Sequence, residues 1–346
     1  MITIKEIAEI ARVSRGTVDR VVNKRGGVNP AVERRINALL EQYGYKANRV
    51  ARALVKRKKL YTIGMISSTI ENIFFKDVVE GMRRAAAEVK DQGVSLLYRE
   101  VAKFSAADQI RCIDEMLEQG VDGLAINPIN DEQVRRKLVE IVQQGIPVIT
   151  FNSDIEGIER LAYIGCDYRT TGKIAAGLIG LATQGQANVA IITGSLKSLG
   201  HCMRIEGFRE EALRYPKIGI AGVVEMFDDE VTSYAAVRDL LAKERAIDAF
   251  FFSAGGKEGG IRAIREAMLP RPPHIVTVDL DAFTEECLMN ETVAATVCQQ
   301  PFVQGYEPVR QLVDYLMHGE LPAQPIQYTR AEILIRQSLS NLTQTP

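Results

Sequence analysis

TIKEIAEIARVSRGTVDRVVN, residues 3–23, is the stretch that decides how the chain begins. Ile4, Ile7, Ala8 and Ala11 recur at the spacing of one buried helical face. Ala11-Arg12-Val13-Ser14 breaks the pattern, and Ser14 suits a helix N-cap because its hydroxyl accepts from a free amide of the next turn. In the second helix Thr17, Val18, Val21 and Val22 supply the inward face, while Arg15, Asp19 and Arg20 point away. An apolar-backed helix with arginines in its leading half suits the major groove of DNA, where arginine bonds guanine O6 and N7 together. An ordinary helical hairpin with a solvated charged face has the same pattern.

Charge separates the two readings. The formal net charge is −1, yet residues 1–60 hold fifteen Lys and Arg against five Asp and Glu. The remainder holds twenty-eight against thirty-nine, so a basic head sits on an acidic body. Phosphate contacts dominate DNA affinity, and a small basic module is their electrostatic footprint. The run Lys56-Arg57-Lys58-Lys59 adds little, because such runs are commonly solvated linkers.

At 346 residues the chain has room for two or three domains. No apolar run reaches the roughly 18 residues that span a bilayer. The start MITIKEIAEIARVS lacks the pattern of a signal peptide, which points to the cytoplasm. Cysteines 112, 166, 202, 287 and 298 are scattered and form no CxxC pair, as expected for reduced thiols. Histidines 201, 274 and 318 are equally dispersed, and no metal site is expected.

A third helix opens at Asn29 and Pro30, with Val32, Ile36, Leu39 and Leu40 inward, and ends near Tyr43. The segment 48–55 has helical spacing but almost no core of its own. Such a short helix is marginal in water unless something packs on it. It reads as a plain linker, or as one that folds on DNA with Leu54 wedging a base step apart.

From Tyr61 the texture changes. Strands are predicted at 61–66, 94–99, 122–126, 147–151, 188–193, 220–225, 248–252, 275–278 and 294–298. Helices are predicted near 75–92, 106–119, 131–144, 168–183, 203–214, 231–243, 257–268, 282–289 and 302–317. That alternation predicts parallel sheets flanked by helices, more comfortably as two lobes than as one. Ligands bind beyond the carboxyl ends of such strands. Those ends carry Ser67-Ser68, Asn72 to Phe75, Asn127 to Asp131, Asn152-Ser153-Asp154, Gly194-Ser195 with His201 and Arg204, Ser253 to Gly256, Asp279 to Asp281 and Gln299-Gln300. Amides, carboxylates and a pair of aromatics suit a sugar or polyol.

An enzyme could draw on Asp154, Asp279 and Asp281, or on Ser67, Ser68 or Ser195 with His201. No G-x-S-x-G elbow, Walker loop or metal motif is present, and Gly255 to Gly260 lacks the nucleotide-loop spacings. No enzyme activity and no cofactor are expected.

Ile4 to Ala8, Val13 to Asn23 and Tyr45 to Leu54 resemble the head and hinge of the lactose-repressor (LacI/GalR) family. The body is similar to periplasmic sugar-binding proteins of the ribose type, through Asn72 to Phe75, Ile126-Asn127-Pro128, Arg204 to Phe208, Asp279 and Thr296 to Gln299. The resemblance implies a small all-α helix-turn-helix head at 1–46, a hinge helix and linker at 47–60 and a two-lobed type I α/β body at 61–340. It places lobe 1 at about 61–161 and 292–322, and lobe 2 at about 162–291 and 323–340.

The implied protein is a homodimeric transcription regulator, expected to be a repressor. It binds a palindromic operator in double-stranded DNA under the control of a small sugar or polyol, and is nucleoid-associated when bound. Carried over by position, Arg15, Gly16 and Arg20 fall on base-reading positions, and Ser14, Thr17 and Asn23 on phosphate-facing ones. Asp19, Asn48, Arg49 and Ala51 complete the DNA-facing set with the intercalating Leu54. Phe74 and Phe75 fall on ring-stacking aromatics. Asn130 or Asp131, Asn152 or Asp154, Arg204, Asp279 and Gln299 fall on hydroxyl partners.

Gly16 departs from the family by lacking a reader side chain, and Asp19 replaces a small residue. Ala254-Gly255-Gly256 stands where many sugar binders carry Asn-Asp, which favours another pyranose or a cyclitol over ribose. A phosphorylated ligand would want more Lys and Arg than these loops supply. The short polar tail 338–346 lacks a heptad zipper and favours a dimer over a tetramer. The rival readings are a transport or sensing sugar-binding protein without a DNA role, and a sugar-metabolising enzyme.

Overall fold

The computed structural model describes residues 4–22, 27–43, 60–68, 74–101, 105–244 and 246–342. Asn23, Asn48, Arg49, Ala51 and Leu54 lie outside them, as does the expected hinge up to Lys59. The chain divides into two compact units, Met1–Lys58 and Lys59–Pro346.

The head is built from α1 (Ile4–Ile10), α2 (Arg15–Val22) and α3 (Pro30–Gln42). Ile7, Ala8, Ala11, Val18, Val21 and Ile36 are buried together, with Val22, Val32, Leu39 and Leu40 against them. So small a core depends on its helix ends. The Asn29 side chain accepts from the Ala31 amide at 2.9 Å, with Pro30 in the first helical turn. Arg35 reaches from α3 to the turn between the first two helices and donates to the Ala11 carbonyl at 2.7 Å.

The body holds two sheets. The first runs in the order β11-β5-β4-β3-β1-β2, from β1 (Tyr61–Ser68), β2 (Val94–Val101), β3 (Gly123–Ile126), β4 (Val148–Phe151), β5 (Ala162–Cys166) and β11 (Ile326–Thr329). The second runs β12-β10-β9-β8-β6-β7, from β6 (Gln186–Thr193), β7 (Lys217–Glu225), β8 (Ala249–Phe252), β9 (His274–Val278), β10 (Ala295–Cys298) and β12 (Glu332–Leu334). All pairings are parallel except β10 with β12. Fully buried runs such as Phe250-Phe251-Phe252 mark central parallel strands covered on both faces.

Helices α4 (Phe74–Val89), α5 (Ala106–Glu118), α6 (Glu132–Gln143) and α12 (Pro301–His318) flank the first sheet. Helices α7 (Tyr168–Ala182), α8 (Leu199–Ala212), α9 (Glu230–Lys243), α10 (Lys257–Glu266) and α11 (Ala282–Met289) flank the second.

The expected lobe boundaries need correction. β5 belongs to the first lobe, paired with β4 and β11, so the chain leaves that lobe after Cys166 rather than at 161. β10 belongs to the second lobe, although 292–322 was assigned to the first. β11 belongs to the first lobe, although 323–340 was assigned to the second. The chain therefore crosses between lobes at 166–168, 298–301 and 329–332. The last two crossings are tied together: Thr329 Oγ1 donates to the Gln299 carbonyl at 2.9 Å, and the Arg330 amide to Gln300 Oε1 at 2.9 Å.

Candidate functional site

The outer face of α2 is set by what its inner face buries. Val18 and Val21 turn inward, which leaves Arg15, Gly16 and Arg20 exposed and Thr17 and Asp19 partly so. Ser14 Oγ accepts from the Thr17 amide at 3.1 Å and meets Thr17 Oγ1 at 2.9 Å, so both hydroxyls cluster at the helix start. A Cβ at Gly16 would meet nothing nearer than Ser14 Oγ at 3.7 Å. Packing within the head does not require glycine there.

The second site is a cleft where strand ends of both lobes meet, the place where α/β sheets of this kind take ligands. The first lobe contributes Phe74, Phe75, Asn127, Asn152 and Ser153, and the second contributes Tyr168, Lys197, Ser198, His201, Arg204, Asp228, Gly255, Asp279 and Gln299. Phe74 and Phe75, at the start of α4, meet edge to face with centroids 5.2 Å apart.

Arg204 is the electrostatic centre. It is 2% exposed, and its guanidinium lies 4.6 Å over the Tyr168 ring. Nη1 donates to the Ser253 carbonyl at 2.6 Å and Nε to Thr171 Oγ1 at 3.3 Å, whereas Nη2 has no protein partner. Gln299 is also buried. Its Nε2 donates to both oxygens of Asp279, at 2.9 and 3.2 Å, and its Oε1 is unpartnered. The cleft thus offers one buried donor and one buried acceptor beside a carboxylate.

Asp279 is held in a left-handed backbone conformation, φ 62°. Buried Lys257 fixes it by donating to the carbonyls of Val278 and Asp279, at 2.9 and 3.3 Å, and by pairing with Asp281 at 2.9 Å. Thr296 Oγ1 adds a bond to the Asp279 carbonyl at 2.9 Å. Burial pushes the Asp279 carboxyl upward, against the pull of the Arg204 and Lys257 charges.

Of the residues expected to touch an effector, Phe74, Phe75, Asn152, Arg204, Asp279 and Gln299 line the cleft. Asn130, Asp131 and Asp154 do not. Asn130 is exposed, and its amide donates across the lobes to the Lys197 carbonyl at 3.0 Å. Asp131 caps α6 by accepting from the Gln133 amide at 2.8 Å. Asp154 turns away to pair with Arg160 at 2.5 Å and to accept from Thr150 Oγ1 at 2.7 Å. Tyr168, Lys197, Ser198 and Asp228 were missed. The signal available for Asp228 was its place just after a strand, ahead of the cap residue Asp229.

His201 Nδ1 lies 2.9 Å from the Ser195 amide nitrogen and 3.1 Å from the Ser195 carbonyl oxygen, so the ring is anchored on the backbone of that residue. That geometry does not activate the Ser195 hydroxyl. Burial and the Arg204 charge pull His201 down to about 3. The unfolded ring takes its proton near pH 6.5, so between 6.5 and 3 the unfolded state binds a proton that the native state refuses. Stability from this ring is present above pH 6.5 and is lost as pH falls towards 3. Acidifying from pH 7 to pH 5 should cost the body about 1–2 kcal/mol through this group. Unfolding temperatures at both pH values, for wild type and His201→Gln, check it, and an equal loss in the two proteins contradicts it.

Among the described residues no group of His, Cys, Asp or Glu is arranged to hold a metal ion, and no helix is long and apolar enough to cross a membrane.

Residues 3–48 match the family described as bacterial regulatory proteins, lacI family, and residues 63–320 match the periplasmic binding protein domain. The chain belongs to the lacI family, on a periplasmic binding protein body. This lacI-family chain is 26% identical to the ribose operon repressor of Escherichia coli K12, over 95% of this chain and 97% of that one. It is 28% identical to catabolite control protein A of Priestia megaterium, across only 60% of either chain. Its body has the fold of GanP, a glucose-galactose binding protein from Geobacillus stearothermophilus, with a TM-score of 0.75 at 24% identity, covering 81% of this chain and 99% of that one. A solute-binding protein from Agrobacterium vitis bound with α-D-tagatopyranose superposes equally well, with a TM-score of 0.75 at 19% identity and 82% and 97% coverage. The lacI-family head and the cleft therefore lie on one chain.

Proposed function

We propose that this protein is a DNA-binding transcriptional regulator, acting as a repressor, whose operator affinity is set by a small polyhydroxylated effector in the cleft. The observation that carries the effector reading is the pair of buried, unpartnered atoms Arg204 Nη2 and Gln299 Oε1 beside Asp279. A buried donor or acceptor left unmatched costs free energy. A hydroxyl accepts from one such atom and donates to the other, and Phe74 and Phe75 offer ring faces to a C–H face. The relatives named as repressors support the DNA reading.

The reading continues as a mechanism. The effector contacts both lobes and favours one lobe orientation, and the paired hinges of a homodimer respond on a palindromic operator in the cytoplasm. The coupling acts both ways, typically at about 1–3 kcal/mol. Leu54 remains the proposed wedge, with Asn48, Arg49 and Ala51 beside it. Gly16, which packing does not require, fits a close approach of α2 to DNA.

The test is a thermal-unfolding screen against sugars and polyols, followed by operator titration with each hit. Binding that leaves operator affinity unchanged contradicts the proposal. Arg20→Ala should weaken operator binding by about 1–3 kcal/mol and relax preference at one base pair. Anisotropy titrations against single-base operator variants measure both.

A further inference from the structure

Gln304 lies on α12, fully buried and not among the residues that line the cleft. The same helix buries Pro308, Val309 and Leu312, and its apolar face packs on the first sheet. An amide in that face costs free energy unless its atoms are matched. They are matched, and none of the side-chain bonds stays within the helix. Gln304 Oε1 accepts from Asn152 Nδ2 at 3.1 Å, and Nε2 donates to the Gln299 carbonyl at 2.7 Å. Thr329 Oγ1 lies 3.5 Å from the same Nε2. Asn152 lines the cleft from the first lobe and Gln299 from the second, while Gln299 and Thr329 sit where the chain crosses between lobes.

The remaining crossing joins the same knot. Tyr163 Oη donates to the Asn152 carbonyl at 2.7 Å and lies 3.1 Å from the carbonyl of Cys166, the last residue of β5. Asn152 and Gln300 both adopt left-handed backbone conformations, φ 58° and 55°, which are uncommon for residues with a side chain and persist where the surroundings hold them. A backbone carbonyl only accepts, so the nitrogen of Gln304 must face Gln299 and its oxygen must face Asn152. Asn152 therefore has to offer its nitrogen to α12, which fixes the orientation of a cleft-lining amide. Away from the crossings the lobes meet again where the Asn130 amide donates to the Lys197 carbonyl at 3.0 Å.

We propose that Gln304 is the positioning residue that holds the two lobes in their closed orientation, by tying a cleft-lining residue of the first lobe to the crossings, and that the effector response passes through it. This rests on the effector-controlled regulator reading above. Helix α12 moves with the first sheet, so reorienting the lobes must stretch the bond from Gln304 to Gln299 or the one from Asn152 to Gln304. Closure and the seating of Asn152 are thereby made to occur together. Packing on the sheet would accept an apolar side chain at this position, whereas the bonds to other segments need the amide.

The experiment measures amide hydrogen exchange in full-length wild type and Gln304→Met, first with no small molecule and then with D-glucose, D-galactose and myo-inositol, alongside calorimetry of the same compounds. With no compound added, exchange of the Asn130 amide should rise at least about tenfold in Gln304→Met, while the amides of β8 in the second lobe exchange as in wild type. A merely structural role would leave Asn130 unchanged or speed Asn130 and β8 equally, and either result overturns the proposal whatever the sugars do. A compound that binds wild type should bind Gln304→Met about tenfold more weakly and change the operator affinity of the variant by less than about a third of the wild-type factor. An unchanged factor also overturns the proposal. If Gln304→Met does not fold, Thr329→Val on the half-exposed strand β11 removes the hydroxyl that bonds Gln299 and meets Gln304, and the Asn130 amide decides in the same way. If none of the compounds binds, exchange without them still decides, and the missing binding counts against the polyhydroxylated reading alone.

Discussion

Arg204→Met removes the effector response while operator binding by the free protein persists. The substitution keeps an unbranched apolar stem, but deletes the guanidinium that lies over Tyr168 and the donor that faces the cleft. Loss of a buried charged donor should lower effector affinity by at least about 100-fold, or roughly 3 kcal/mol. The Ser253 carbonyl also loses its partner, a further cost to the fold of about 1–3 kcal/mol. Calorimetry with the hit from the sugar screen reads the first effect, and thermal unfolding reads the second. Effector-dependent operator binding like that of wild type would show that the cleft does not hold the effector through this residue.

Gly207→Val should be among the most damaging single changes in the body that touch no ligand. Helices α7 and α8 cross with their backbones in contact. A Cβ at Gly207 would lie 1.9 Å from the Arg169 carbonyl oxygen, and one at Gly172 would lie 2.0 Å from the Arg204 carbonyl oxygen. Backbone cannot swing aside as a side chain can, so the helices must separate. Overpacking of this kind should cost about 3 kcal/mol or more, lowering the unfolding temperature by roughly 5–10 °C. Since α8 carries Arg204, effector affinity should fall even at temperatures where the variant is folded. Thermal unfolding with calorimetry at 15 °C measures both, and wild-type values in both would contradict the close-packed crossing.

The two sites were legible to different depths. The α2 surface could be read almost whole, since Val18 and Val21 determine which residues of the same short helix face outward. In the body, each strand expected from the apolar pattern is present. β5 was missed because no helix lies in the 152–161 connection before it, and alternation was the guide. β11 and β12 were missed because both are short, half-exposed edge strands without a clear apolar pattern.

What the sequence determined by itself is therefore local: three head helices with their caps, the alternation of strand and helix, and the strand ends where a ligand belongs. Each rests on interactions between residues a few positions apart. Tertiary structure alone decided the rest. Asp131 and Asp279 both follow strands, yet one caps a helix and the other reaches the cleft. Asp154 is withdrawn by Arg160. Asp228 enters the wall because two glycines on other loops leave room for it. Where a polar side chain points depends on which donors and charges the fold brings to it from far along the chain, and no local pattern carries that information.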